Sequence, residues 1–148
     1  MTIIKTNEGF EICMQSYIKE ILKLYEKKAK DYVTPTKKSN LFKVDGNVEP
    51  IAEKAKFHSM VAKLLYLRKR GWPEILLPVQ YLCTRVKGPT TDDVRNLERV
   101  FGYLQLTRYW TKVFDRSKIR RVTTFIDVSF ATHPDGKSQS GYAVWLVL

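Results

Sequence analysis

A carboxylate in the middle of an apolar strand is costly to bury unless a donor or a cation meets it. Asp127 stands in that setting, between Phe125-Ile126 and Val128. Such an acid is either a metal ligand or a side chain at the rim of a sheet. A second acidic feature, Asp92-Asp93, follows Thr90-Thr91. There the Thr90 and Asp93 spacing is that of a capping box, so the pair reads as a helix cap and not as catalytic. His58, beside Phe57 and Met60 on a predicted helix, reads as a buried or half-buried packing residue, and His133 before Pro134 as an exposed loop residue. Ser59 and Cys83 have no local base or oxyanion pattern, which argues against a Ser or Cys hydrolase. No glycine-rich phosphate loop occurs. Cys13 and Cys83 have no second Cys or His at ligand spacing. That disfavours a structural zinc site or a disulfide framework and predicts reduced thiols in an intracellular protein, cytoplasmic or nuclear.

The other chemistry on offer is charge. The 148 residues carry 26 Lys plus Arg against 15 Asp plus Glu, a net +11. The excess is spread along the chain and condenses in two places. Lys54, Lys56, Lys63, Arg68, Lys69 and Arg70 face only Glu53, and Arg108, Lys112, Arg116, Lys118, Arg120 and Arg121 face only Asp115. A phosphate backbone is the natural counterpart, and solvated faces of ordinary helices are the alternative.

Apolar spacing predicts the elements that carry these residues. Met14, Tyr17, Ile18, Ile21, Leu22 and Tyr25 form one side of an amphipathic helix over 14–29, with Lys19, Lys23 and Lys27 in a row on another. Gly9 to Cys13 reads as a short strand before it, and Thr34 to Pro50 as an irregular connector. A second helix runs from about Ala52 to Arg70 and is stopped by Gly71 and Pro73. A third follows from Pro73 to about Arg85, but Pro78 removes a backbone donor and clashes with the Glu74 carbonyl, so a kink or a late start is expected. The fourth, capped at Thr90, carries Val94, Leu97, Phe101 and Leu104, with Gly102 inside it at a cost of roughly 1 kcal/mol relative to Ala. From about Arg121 the texture turns β-prone, giving a hairpin through Phe130, a polar loop at His133-Pro134-Asp135-Gly136, and a second strand from Gly141 to Leu148. That strand is apolar on both faces, as in a sheet covered on both sides, and nothing after it supplies the cover. The expectation is a chain that stops inside an α/β domain. Its longest apolar run, Tyr142 to Leu148, is too short to span a bilayer, and Met1 to Gln15 has no secretory pattern, so no membrane partner is expected.

Several of these stretches resemble the Pol polyprotein of copia-type retrotransposons, at the join of reverse transcriptase and ribonuclease H. They are Phe57-His58-Ser59-Met60-Val61-Ala62-Lys63-Leu64-Leu65-Tyr66-Leu67, Trp72-Pro73-Glu74-Ile75, and Pro89-Thr90-Thr91-Asp92-Asp93 with Val100-Phe101-Gly102-Tyr103-Leu104. Met14-Gln15-Ser16-Tyr17-Ile18-Lys19-Glu20-Ile21-Leu22 is similar to the helix after the polymerase palm. Ile126-Asp127-Val128-Ser129-Phe130-Ala131 with His133 to Tyr142 is similar to the opening hairpin of the ribonuclease H domain. The resemblance runs from about Gly9 to Leu148. The family has Arg-Pro-Asp-Ile where this chain has Trp72-Pro73-Glu74-Ile75, and a helix-compatible residue at Pro78.

The resemblance implies an α+β chain. Residues 1–110 would be a mostly helical thumb and connection region, and 119–148 the first hairpin of a truncated ribonuclease H-like domain. The basic residues Lys19, Lys23, Lys27, Lys63, Arg68, Lys69 and Arg70 are expected to contact nucleic acid, an RNA–DNA or DNA duplex, and the resemblance adds the remainder of the polyprotein as a partner. Asp127 would be the first catalytic, metal-binding carboxylate of a two-metal hydrolysis. Mg²⁺ belongs to the complete domain, and tight binding to this chain is not expected, because Asp135 is the only acid after Asp127 and marks a turn. No Tyr-x-Asp-Asp occurs, so the chain is expected to be catalytically inactive by itself. The departures from the family pattern leave a second reading open, a non-enzymatic helical interaction module derived from a decayed transposon copy.

Overall fold

The computed structural model describes residues 1–25, 30–36, 48–115, 121–131 and 136–147. The chain is α+β. Strands β1 (Thr2–Lys5) and β2 (Gly9–Cys13) lead into helix α1 (Gln15–Leu24). Helix α2 (Lys54–Arg70), a 3₁₀ turn at Pro73–Ile75, α3 (Leu76–Arg85) and α4 (Thr91–Thr107) follow, then β3 (Lys112–Asp115), β4 (Arg121–Ser129) and β5 (Gln139–Val147). β1, β2 and β3 form an antiparallel sheet in that order, and β4 pairs with β5.

The helices bury the stripes their sequences carry. Met14, Ile18 and Ile21 of the α1 segment meet Phe57, Met60, Val61, Leu64 and Leu67 of α2, Val79 and Leu82 of α3, and Leu97, Val100, Phe101 and Leu104 of α4 in one core. Helix α3 starts late, as Pro78 requires. The 3₁₀ turn ends at Ile75, and Pro78 becomes the third residue of α3, where backbone N–H groups have no intrahelical acceptor to lose. Trp72 is buried, and its indole N–H donates to the Thr107 hydroxyl at 3.3 Å, which in turn donates to the Tyr103 carbonyl. This pins the α2–α3 turn to the end of α4.

The start of α4 is the cap read from the sequence. The Asp93 carboxylate is buried and accepts from the Thr90 N–H at 2.8 Å and the Thr90 hydroxyl at 2.9 Å. Arg85 Nε adds a charge-assisted bond at 3.2 Å from the end of α3. A buried carboxylate that loses such a partner costs about 3–5 kcal/mol, so the network fixes the α3–α4 angle as well as the helix start.

From Val100 to Leu104 every residue of α4 is buried, Gly102 included. The segment Lys30–Thr36 crosses the helix there. A Cβ at position 102 would collide with the Lys30 carbonyl oxygen and stand 2.6 Å from the Tyr32 ring. Arg99 holds this strap, lying 4.6 Å from the Tyr32 ring centroid and donating to the Thr34 carbonyl and hydroxyl. The helix penalty of Gly102 is therefore the condition for a close crossing. On the same helix the Tyr25 ring stacks on Phe101 at 4.3 Å, and burial pushes the Tyr25 phenol up to about 12.

The β4–β5 hairpin pairs Arg121 with Val147 through Ser129 with Gln139. Among the described residues β5 pairs with β4 alone. Val122, Phe125, Ile126 and Val128 on one strand and Tyr142, Val144 and Trp145 on the other are each at least 56% exposed. Among the described residues, Tyr142, Val144 and Trp145 of β5 thus lack the cover that a strand apolar on both faces calls for.

Gly102→Ala is expected to lower the unfolding free energy by about 1–3 kcal/mol through overpacking, although Ala is the better helix former by roughly 1 kcal/mol. Gly88→Ala, where a methyl meets nothing within 4 Å, should stay within about 0.5 kcal/mol of the parent. Urea denaturation of both variants checks this, and a Gly102→Ala protein more stable than the parent would contradict the close-crossing account.

Candidate nucleic-acid interface

Because Met14, Ile18 and Ile21 turn one side of α1 into the core, Lys19 and Lys23, one helical turn apart, are left exposed. Lys27 lies outside the described residues, as do Arg116, Lys118, Arg120, His133, Pro134 and Asp135. Two aromatic and basic groups flank α1. Towards α2, the Tyr17 hydroxyl donates to the Lys63 carbonyl at 3.1 Å, and the Tyr17 ring meets Tyr66 edge-on at 5.1 Å. The Arg70 guanidinium stands 5.5 Å from the Tyr66 ring centroid. Lys69 and Arg70 are exposed at the negative end of the α2 dipole, where cations are favoured whether or not a ligand is bound. Glu20 lies close enough to Tyr17 to raise its phenol pKa, a smaller effect than burial.

Towards α4, the Gln15 side chain donates to the Tyr109 carbonyl at 3.2 Å, tying α1 to the residues after Thr107. Arg108 lies 4.6 Å from the Tyr109 ring centroid. A hydrogen bond from Arg108 and its charge, with a further contribution from Lys19, hold the Tyr109 phenol below its ordinary pKa. Lys19 therefore belongs to the same positive field as Arg108.

The structure separates the residues that sequence grouped together. Lys19, Lys23, Lys69 and Arg70 are exposed and Lys63 is half-buried. Arg68 differs, because its Nη1 donates to the Leu76 carbonyl at 3.1 Å and its Nε is buried without a hydrogen-bond partner. It braces the α2–α3 turn. Sequence reasoning missed Tyr66 and Tyr109 as the partners of Arg70 and Arg108. The four-residue spacing of Tyr66 and Arg70 and the adjacency of Arg108 and Tyr109 were the available signals.

Asp127 is exposed on β4, opposite Gly141. The burial cost that made this acid conspicuous is therefore not incurred. Among the described residues no three His, Cys, Asp or Glu side chains gather closely enough to hold a metal ion. His58 is exposed on α2, against the expectation of a packing histidine, because the buried stripe passes through Phe57 and Met60 and leaves position 58 on the outer side. Cys13 and Cys83 are free and half-buried, and burial pushes the Cys83 thiol up despite Arg68 and Lys69 nearby. No described helix is long and apolar enough to cross a membrane. Protein-family models, curated proteins and solved structures contain no match to this chain.

In a pH titration followed by tyrosine absorbance or ring NMR, Tyr109 should ionise below the ordinary tyrosine range while Tyr25 holds its proton to about 12. Arg108→Ala should move the Tyr109 transition upward and leave Tyr25 in place. An unmoved Tyr109 would show that Arg108 does not supply the field.

Proposed function

We propose that the chain grips the phosphate backbone of a nucleic-acid duplex, an RNA–DNA hybrid or DNA, as the helical thumb and connection segment of a copia-type reverse transcriptase and ribonuclease H polyprotein. The observation that carries the reading is the exposed pair Lys19 and Lys23 on α1, flanked by Lys63–Tyr66–Arg70 on one side and Arg108–Tyr109 on the other. Cations held against aromatic rings are ordered before a ligand arrives, which reduces the side-chain entropy lost on binding. Lysine and arginine contacts to phosphate read no sequence, so recognition is by backbone geometry.

In this reading β4–β5 is the opening hairpin of a ribonuclease H-like domain. The remainder of the polyprotein covers its exposed apolar faces, and Asp127 contributes one carboxylate of the site. Mg²⁺ would be held by Asp127 together with carboxylates that do not come from the described residues, and it would supply an activated water for hydrolysis. The role assigned to this chain is gripping, since its sequence holds no Tyr-x-Asp-Asp.

Fluorescence anisotropy with a labelled hybrid duplex over a salt series tests the reading. The parent should bind at low salt with affinity falling steeply as salt rises. Replacing Lys19, Lys23 and Arg70 together by Ala should weaken binding at least tenfold, and each lost phosphate contact should flatten the plot of log K against log salt by about 0.9. Arg68→Ala should reduce folding stability and leave the slope nearly unchanged. Absence of binding at low salt, or a triple variant with the parental slope, would favour the helical interaction module.

A further inference from the structure

The three-stranded sheet has two unlike faces. Residues directly opposite one another in antiparallel strands share a face, so the register places Lys5, Phe10 and Phe114 in one row and Ile3, Ile12 and Lys112 in the next row of that face. Glu11 and Asp115 fall on the other face. Ile12 packs on the helical core beside Gly71, which leaves the Lys5–Phe10–Phe114 row projecting beyond the helices. There Phe10 is 40% exposed and its ring stacks on Phe114 at 4.8 Å and 15°. The Lys112 ammonium stands 5.3 Å from the Phe114 ring centroid.

Trp110 continues this surface. Its indole is 57% exposed, yet it is fixed by an edge contact to the buried Tyr103 ring at 6.4 Å and 86°. Trp110 and Lys112 border one hollow of about 220 Å³, with Glu74 on its wall. A carboxylate there repels phosphate and accepts from base N–H groups, the thymine N3–H included, so a polymer lying on the sheet would direct its bases, and not its backbone, towards Glu74. Exposed, orientationally fixed rings interleaved with lysines are the physical requirements for binding unpaired nucleotides, whose base faces are open to stacking. A duplex buries those faces in its own stack.

We propose that this sheet face binds an unpaired nucleic-acid strand, with bases stacking on Phe10 and Trp110, with half-buried Phe114 backing the Phe10 ring, and with Lys5 and Lys112 meeting its phosphates. The inference rests on the nucleic-acid reading above for the kind of polymer, but it uses different residues from the duplex grip. A strand leaving the duplex held at α1 would meet this sheet, since β2 runs directly into α1 and Gln15 ties α1 to the segment that carries Trp110.

The test uses the full chain, a labelled oligothymidylate and a labelled hybrid duplex in parallel. Phe10→Leu and Trp110→Leu, which keep apolar bulk but remove the aromatic face, should each weaken oligothymidylate binding on the order of tenfold and leave duplex binding within about twofold. Lys19→Ala with Lys23→Ala should do the reverse. Oligothymidylate affinity unchanged in both aromatic variants overturns the proposal. So does competition by oligoglutamate as effective as by unlabelled oligothymidylate, since that marks a site for acidic peptide. Should a variant fail to fold, photocrosslinking of the parent chain to an iodouracil-substituted strand decides the matter. Adducts at Phe10 or Trp110 support the proposal, and adducts confined to other residues overturn it. Loss of duplex binding alone, with strand binding still dependent on the aromatic residues, would sink the duplex reading and leave this one standing.

Discussion

The buried length of α4 from Val100 to Leu104 is the constraint on which the rest of the fold depends. A helix buried on all sides at one level needs neighbours on all sides. Here they are the core side chains of α1, α2 and α3 and the strap at Lys30–Thr36. Only glycine at position 102 lets the strap come that close. The same helix is anchored at both ends by polar contacts, Asp93 with Thr90 and Arg85 at its start and Thr107 with Trp72 at its finish. Both ends are therefore fixed by side chains from α3 and from the turn before it, and α4 serves as the post against which the other helices are set.

The surface chemistry follows from that post. Packing of Ile18 and Ile21 inward determines which side of α1 is wet, and so exposes Lys19 and Lys23. Residues just beyond Thr107 pass the start of α1, where Gln15 donates to the Tyr109 carbonyl; this brings Arg108 and Tyr109 into the field of Lys19 and then delivers β3 to the edge of β2. Two surfaces of different character result. One is a helical face of cations braced by tyrosines, and the other is a sheet face where phenylalanine, tryptophan and lysine alternate. The first suits phosphates at fixed spacing and the second suits flat rings, a division that follows from the difference between helix and strand side-chain geometry.

Much of this was legible in the sequence. The apolar stripes gave the four helices, Thr90 and Asp93 marked the start of α4, and Pro78 forecast the late start of α3. Strands β1 and β3 were missed because four residues are too few to show a period; β1 turns back on β2 within three residues, and β3 pairs with β2 only after the helices have intervened. The sheet face that carries Phe10 and Phe114 was hidden with them. Arg68 looked like one more cation beside Lys69 and Arg70, and only its bond to the Leu76 carbonyl distinguishes a brace from a free charge. Asp127 stood out as an acid in an apolar strand, but the argument from burial lapses where the strand is exposed on both faces. Trp72 and Pro78, which depart from the pattern the chain resembles, both fit their places, one as a core anchor and the other in a first helical turn.

The central claim is that α1 presents the charges that meet a duplex. Lysine acetylation footprinting with mass spectrometry, carried out with and without a hybrid duplex at low salt, tests it most directly. The account predicts strong protection of Lys19 and Lys23 and unchanged labelling of Lys54 and Lys87, which are also exposed but lie elsewhere. Uniform protection of all four lysines, or labelling of Lys19 and Lys23 that the duplex does not alter, would contradict it.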